Sequence, residues 1–390
     1  MLTTKLKELF YWIVSSLIIV APALYNRYPL MYFDSGAYME MSINLEPSFH
    51  RSIGYPLMMK LTGWGISNWP IIFLQGLLIS WLLFRVFSLF EFKNLRLIHF
   101  LGVMTLSFGS ALSWYAAQLM PDIFTMIVLL SFLLLWLDKP APFVRKIVLA
   151  FFMVFGMMAH LSHIPLVLLL IVSLFVAEKL QWISKEYSIL NRLTWLWIVS
   201  PMILAFLSIS THNAMHQHGF RMSMASNVFI TANLGEMGIL KLYLDENCGE
   251  KEIPLCNVKE NLPKETGGYL WTGDAFVNHH PEGWEGANED CSVIVHDFLT
   301  KPRYLKWLVI ASVKATLKQM FQIELGSGLH YAYKEGTPPY WPMKTHFKQE
   351  LNEYLISVQN KGDELPLPFF KVVNYITLFA SLALLGWAML

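Results

Sequence analysis

His160-Leu161-Ser162-His163-Ile164-Pro165 interrupts an apolar stretch that otherwise runs from residue 146 to residue 178. A helix that crosses a bilayer needs roughly 20 apolar residues, so this stretch is either one long tilted span or two short spans meeting at a polar elbow. Loop charge decides between them, because Lys and Arg collect on the cytoplasmic side of membrane proteins. The other basic connections hold Lys5 and Lys7, then Lys93 and Arg96, then Lys139, Arg145 and Lys146. Only two helices bring Lys179, Lys185 and Arg192 to that same side.

Working outward from the elbow, apolar runs at 10–29, 70–90, 97–115, 122–138, 146–160, 164–178, 193–211 and 368–390 predict eight spans. Hydrophobic residues make up 55% of the 390 and charged residues 15%, the composition of an integral membrane protein. A net charge of +1 gives no basic field for a nucleic acid. The first run lacks a small-residue cleavage site and reads as a retained signal anchor.

The expected fold is therefore an all-α polytopic membrane protein of about eight transmembrane helices with a mainly helical extracytoplasmic domain. Its membrane module covers 1–211, with an amphipathic first outward loop at 28–69. A water-facing domain follows at 212–367, rich in Gly, Pro, Asn, Asp and Glu, and a last span at 368–390. Within the domain, Val228 to Leu244 and Cys291 to Phe298 have helical spacing, and one or two short strands are expected. Tyr304 to Leu325 mixes Lys306, Lys314 and Lys318 with apolar residues, as an amphipathic helix lying on the membrane or against the bundle does. Cys248, Cys256 and Cys291 all fall in this segment, where an oxidising compartment permits a disulfide. Cys248 with Cys256 is the simplest pairing, and Cys291 competes for it.

Chemistry is concentrated in the first outward loop, in Phe33-Asp34-Ser35-Gly36-Ala37-Tyr38 and His50-Arg51-Ser52-Ile53-Gly54-Tyr55-Pro56-Leu57. Asp34 could serve as a general base for a hydroxyl, with Tyr38 on the same face if the segment is helical; equally, Asp34 or Ser35 could simply cap the helix that follows. Arg51, beside His50 and Tyr55, has a planar fork suited to phosphate, or it snorkels to lipid headgroups. Asp122 follows Met120-Pro121 and is the second carboxylate, in a position where capping its helix could be all that it does. Ionisable groups at membrane depth usually face a bundle interior or a wet cavity. His160 and His163 share one face of the elbow. His212, His216, His218 and Arg221 follow the seventh span, and no acidic or cysteine partner with convincing spacing turns the His212 and His216 pair into a metal site.

This layout resembles the GT-C superfamily of membrane glycosyltransferases, which use polyprenyl-phosphate sugars as donors. Over roughly residues 1–215, Asp34 matches the acidic residue that follows span one, Arg51 to Leu57 looks like the turn after the amphipathic segment, and Met120-Pro121-Asp122 resembles the later acidic position. The chain departs from the protein-mannosyltransferase-like pattern in carrying Asp-Ser where an adjacent Asp-Glu pair would stand. The resemblance implies sugar transfer to a glycan, lipid or protein acceptor at the outer face of a bacterial inner membrane. Asp34 and Asp122 would be catalytic, and Tyr38, His50, Arg51, Tyr55, His160, His163 and Arg221 would bind substrate or phosphate. It requires no metal cofactor, and no spacing supports a divalent cation. The competing expectations are a transporter or flippase of a lipid-linked or polar solute, and a non-catalytic membrane scaffold.

Overall fold

The computed structural model describes residues 2–189, 191–249, 253–322, 325–326, 328–362 and 365–388. Regular secondary structure among them is helical, and the expected short strands are absent from the described residues. The chain divides into two compact units, Met1–Met222 with Glu324–Leu390, and Ser223–Ile323. These units divide the chain at other points than the water-facing segment expected at 212–367. Residues 324–367 are as polar as the second unit, yet they fold back into the first, where their side chains find buried partners.

The first unit opens with α1 (Leu2–Ile19) and α2 (Ala21–Asn26), so the run read as a single span at 10–29 breaks where Pro22 opens a new helix. Two short helices follow, α3 (Ser35–Asn44) and α4 (Gly54–Gly63), then α5 (Trp69–Ser88), α6 (Leu95–Gly109) and α7 (Leu112–Ala116). Next come α8 (Phe124–Leu137), α9 (Phe143–Ala159), α10 (His163–Lys179) and α11 (Arg192–Met215). The elbow forms as expected: α9 ends at Ala159, His160 is extended, and α10 begins at His163. Asn191 caps α11 by accepting from the Leu193 amide at 3.1 Å.

The second unit contains α12 (Ser226–Glu236), α13 (Ile239–Asn247), α14 (Thr266–Leu270), α15 (Phe276–His279), α16 (Gly283–Thr300) and α17 (Pro302–Met320). The Val228 to Leu244 run is two helices, because Gly238 adopts a φ of 74° between them, a left-handed conformation that costs glycine little. Val228, Leu240, Tyr243, Leu244, Ile294 and Phe298 are core residues. A Cys248–Cys256 disulfide ties the end of α13 to the following turn, and Cys291 is free and buried; this is the simplest of the expected pairings.

The chain then returns to the first unit through α18 (Tyr340–Thr345), α19 (Leu351–Leu355), α20 (Val358–Lys361) and α21 (Leu367–Ala388). A helix thus stands at each of the eight apolar runs. Three of them, Trp69–Ser88, Leu193–Met215 and Leu367–Trp387, are long and apolar enough to cross a membrane, and they mark a membrane protein. The others are shorter: α8, at 14 residues, is about 21 Å long against a hydrocarbon core of about 30 Å.

Two glycines set how closely the pieces around the first loop approach. A Cβ on Gly36 would run into the carbonyl of Pro338, and one on Gly54 into the backbone of Met158 and Ala159. The start of α3 therefore lies directly against the 337–339 turn, and the start of α4 directly against the end of α9.

Candidate functional site

Residues 26–32 form the back wall of the site, and buried polar side chains from the return segment fix their path. Gln359 accepts from the Met31 amide at 2.9 Å and donates to the Met31 carbonyl at 2.8 Å, an amide side chain taking the place of a neighbouring strand. The Gln359 amide donates to Asn26 Oδ1 at 2.7 Å. Tyr28 donates its hydroxyl to Glu350 Oε2 at 2.6 Å, and the same carboxylate accepts from the Asn68 amide at 3.1 Å and from Ser67 Oγ. On the other side, Leu30 pairs its backbone with Ala117 and Leu119 at 2.9 Å each way, which draws the first loop towards the turn that carries Asp122.

Asp34 stands at the N-cap position of α3, yet its side chain makes no capping hydrogen bond. Ser35 closes the turn instead, accepting from the Tyr32 amide at 2.9 Å, and the Asp34 carboxylate is ion-paired to the Arg51 guanidinium. Asp34 keeps 29% of its side chain exposed and Arg51 13%, so the pair opens to solvent on the carboxylate side. Arg51 lies over the Tyr38 ring with its Cζ 5.9 Å from the centroid, within cation–π range. Tyr38 in turn meets Tyr55 edge to face at 5.3 Å.

Tyr38 and Tyr55 were expected to touch substrate; both are buried, at 3% and 0% exposure. Tyr55 donates its hydroxyl to Gln75 Oε1 at 2.9 Å, and Gln75 donates onward to the carbonyls of Ala116 and Gln118 at 2.9 and 3.2 Å. The two rings are the floor beneath Arg51. Burial pushes the Tyr38 hydroxyl above its ordinary pKa, opposed by the Arg51 charge, which keeps it neutral.

Asp122 and His160 complete the cluster. Both are exposed, one ahead of α8 and the other at the end of α9. Asp122 acts electrostatically on Tyr32, Tyr38 and His160, and His160 also feels Arg51 and Asp34. Tyr32 bridges the group: burial first, then the negative charges of Asp34 and Asp122, raise its hydroxyl pKa, against a lowering by Arg51. Asp34, Arg51, Asp122 and His160 are thus brought together from four separate places in the sequence.

Three expected residues belong elsewhere. His163 is 2% exposed and uses both ring nitrogens structurally, with Nδ1 at 2.6 Å from the Gly156 carbonyl and Nε2 at 2.8 Å from Thr125 Oγ1. It ties the elbow to α8. Arg221 donates to the His218 carbonyl within its own turn, and its carbonyl accepts from Asn213 Nδ2 at 2.8 Å. His50 takes part through its backbone, its carbonyl accepting from Arg51 Nη1 at 3.0 Å. Burial, followed by the adjacent Arg51 charge, lowers the His50 pKa to about 4, so its ring is neutral near pH 7.

Sequence reasoning missed Tyr32, Gln75, Glu350 and Gln359. Tyr32 alone carried a usable signal, lying two residues before Asp34. Among the described residues no group of three or more His, Cys, Asp or Glu is placed to hold a metal ion. What the cluster offers is a solvent-reachable carboxylate held by a guanidinium, with a second carboxylate and an imidazole within electrostatic range. Compared with protein-family models, curated proteins and solved structures, the chain matches none.

Proposed function

We propose that this chain is a membrane glycosyltransferase that moves a sugar from a polyprenyl-phosphate donor to an acceptor hydroxyl on the outer side of the membrane. In this reading the eight apolar runs all span, the basic connections lie inside, and the Asp34 cluster faces out at headgroup height. The observation that carries the proposal is the placement of Asp34. It pairs with Arg51 instead of capping α3, remains partly exposed, and lies within electrostatic range of Asp122 and His160.

The chemistry follows from that arrangement. A donor phosphate offers the Arg51 fork two oxygens in place of one carboxylate. When Arg51 turns to the phosphate, Asp34 loses its partner and is free to accept a proton. The acceptor oxygen attacks the anomeric carbon, the bond from that carbon to the phosphate oxygen breaks, and the hydroxyl proton passes to Asp34. The polyprenyl phosphate departs with the bonding electron pair, and Arg51 and His160 offset its charge electrostatically. Base activation is thereby tied to donor binding, so the paired state guards the carboxylate while the site is empty. Asp122, Tyr32 and the exposed Tyr331 line the approach for sugar or acceptor.

The test is to purify the protein in detergent, supply a panel of polyprenyl-phosphate hexoses and pentoses with acceptor alcohols, and measure the polyprenyl phosphate released. Release by the wild type and its loss in Asp34→Asn support the reading. Undiminished release by Asp34→Asn overturns the assignment of the base, and no release with any donor overturns the activity.

A further inference from the structure

The longest helix of the second unit, α17, leaves a broad apolar face uncovered. Tyr304 and Ala311 pack it into the core. On the opposite side Val309, Val313, Leu317 and Met320 are 54–66% exposed. Their spacing of four, four and three residues makes one continuous stripe on a helix of 3.6 residues per turn. A run of exposed apolar side chains on this scale marks an interaction surface.

Charge identifies the occupant. Between Pro302 and Met320 the helix has no Asp or Glu and carries Arg303, Lys306, Lys314 and Lys318, although the whole chain has a net charge of only +1. Arg303 is engaged by Glu246. Lys306, Lys314 and Lys318 are exposed and form no ion pair among the described residues; by helical spacing Lys306 lies in line with the stripe and Lys314 beside it, while Lys318 lies on the far side, towards Glu236. Apolar residues along one face with lysines beside them are the pattern of a helix lying in a membrane interface that contains anionic lipid. The same chain has three helices able to cross a membrane, which holds the unit at high effective concentration near a lipid surface. A weak surface helix is then sufficient.

We propose that α17 lies in the headgroup region of a membrane containing anionic lipid, with Val309, Val313 and Leu317 inserted and Lys306 and Lys314 on lipid phosphates. This inference stands apart from the sugar-transfer reading and needs only the membrane anchorage. It gives the second unit a docked position, set by the lipid composition of the leaflet.

The disulfide and the buried Cys291 leave no exposed thiol among the described residues, so an introduced cysteine can be labelled selectively. Full-length Leu317→Cys, carrying an environment-sensitive fluorophore, is reconstituted into vesicles of phosphatidylcholine with 0% or 30% phosphatidylglycerol, bearing a quencher at a shallow acyl position. A label at His296, which is exposed on α16, is the control. The proposal expects quenching at Leu317 and none at His296, stronger with phosphatidylglycerol and weakened by salt. The double variant Lys306→Gln, Lys314→Gln should lower the docking equilibrium by about fivefold per lysine removed. Absence of quenching at Leu317 in either vesicle overturns the proposal. So does a concentration-dependent self-quenching in detergent without lipid, which would assign the face to a second copy of the chain. Quenching that is equal with and without phosphatidylglycerol overturns the anionic-lipid assignment.

Discussion

The Arg51 guanidinium is bound to the Asp34 carboxylate, joining the N-cap position of α3 to the connection just ahead of α4, two helices that pack on each other. Sixteen residues lie between them, and the Asp34 side chain does not cap α3. With Arg51 13% and Asp34 29% exposed, the cost of desolvating both groups offsets much of the attraction between them. The geometry of the pair is therefore better explained by what it does than by what it holds up.

Asp34→Asn is expected to lower the transfer rate by about 10²- to 10⁴-fold, the usual contribution of a general base. The thermal midpoint should move by only a few degrees. Arg51→Lys keeps the charge and loses the fork, so it should cause an intermediate loss, with the donor KM rising more than the acceptor KM. Initial rates of polyprenyl phosphate release, measured against both substrates, check both expectations.

Glu350→Ala removes a buried acceptor from three donors at once: the Tyr28 hydroxyl, the Ser67 hydroxyl and the Asn68 amide. Stranding such groups costs about 1–3 kcal/mol each, and partial relaxation should bring the net loss to about 3 kcal/mol. Glu350→Gln should cost less, because its amide can donate to Ser67 Oγ, and a hydroxyl accepts as readily as it donates. Thermal unfolding in detergent gives the order wild type, Gln, Ala if this account holds.

Gly36→Ala drives a methyl group into the Pro338 carbonyl and should cost about 1–3 kcal/mol by overpacking, together with activity, since α3 carries Asp34. Gly63→Ala is the companion test. A Cβ there meets nothing within 4 Å, and it should stabilise the helix by about 0.5–1 kcal/mol and leave the rate unchanged. Equal effects of the two substitutions would show that the contact with the 337–339 turn is unimportant.

His50 makes stability depend on pH in a stated direction. Its folded-state pKa is lowered to about 4, while the unfolded side chain takes a proton near pH 6.5. Between those values the unfolded chain binds more protons, so stability falls as the pH drops from about 6.5 to 4 and levels off below. His50→Gln should flatten that part of the profile. Denaturant midpoints at pH 7.5 and 5.0 for the two proteins measure the difference.

Much of the candidate cluster was legible because ionisable residues stand out where apolar runs stop. Asp34, Arg51, Asp122 and His160 each occupy such a break, and desolvation makes a charge conspicuous there. The elbow at His160 was legible through the sign of its flanking loops. Spacing along the chain says less about which way a ring faces. Tyr38 and Tyr55 therefore read as substrate contacts although they are buried under Arg51, and His163 read as a ligand although it ties Gly156 to Thr125. Gln75, Glu350 and Gln359 were silent for another reason. Each is an ordinary polar residue until a partner between 20 and 330 positions away removes it from water. The same long-range pairing sets where the two units divide, because residues 324–362 share the composition of the second unit and the burial of the first.

The clasp of Gln359 on Met31 has a consequence for biosynthesis. A ribosome extends the chain from its amino end, so the loop bearing Asp34 emerges long before the side chains that brace it have been translated. All ten helices that precede residue 190 can fold while this loop still lacks its support. A polypeptide arrested before residue 350 would lack α19, α20 and α21 together with Glu350 and Gln359, so the path of residues 26–32 is fixed only when the return segment has been made.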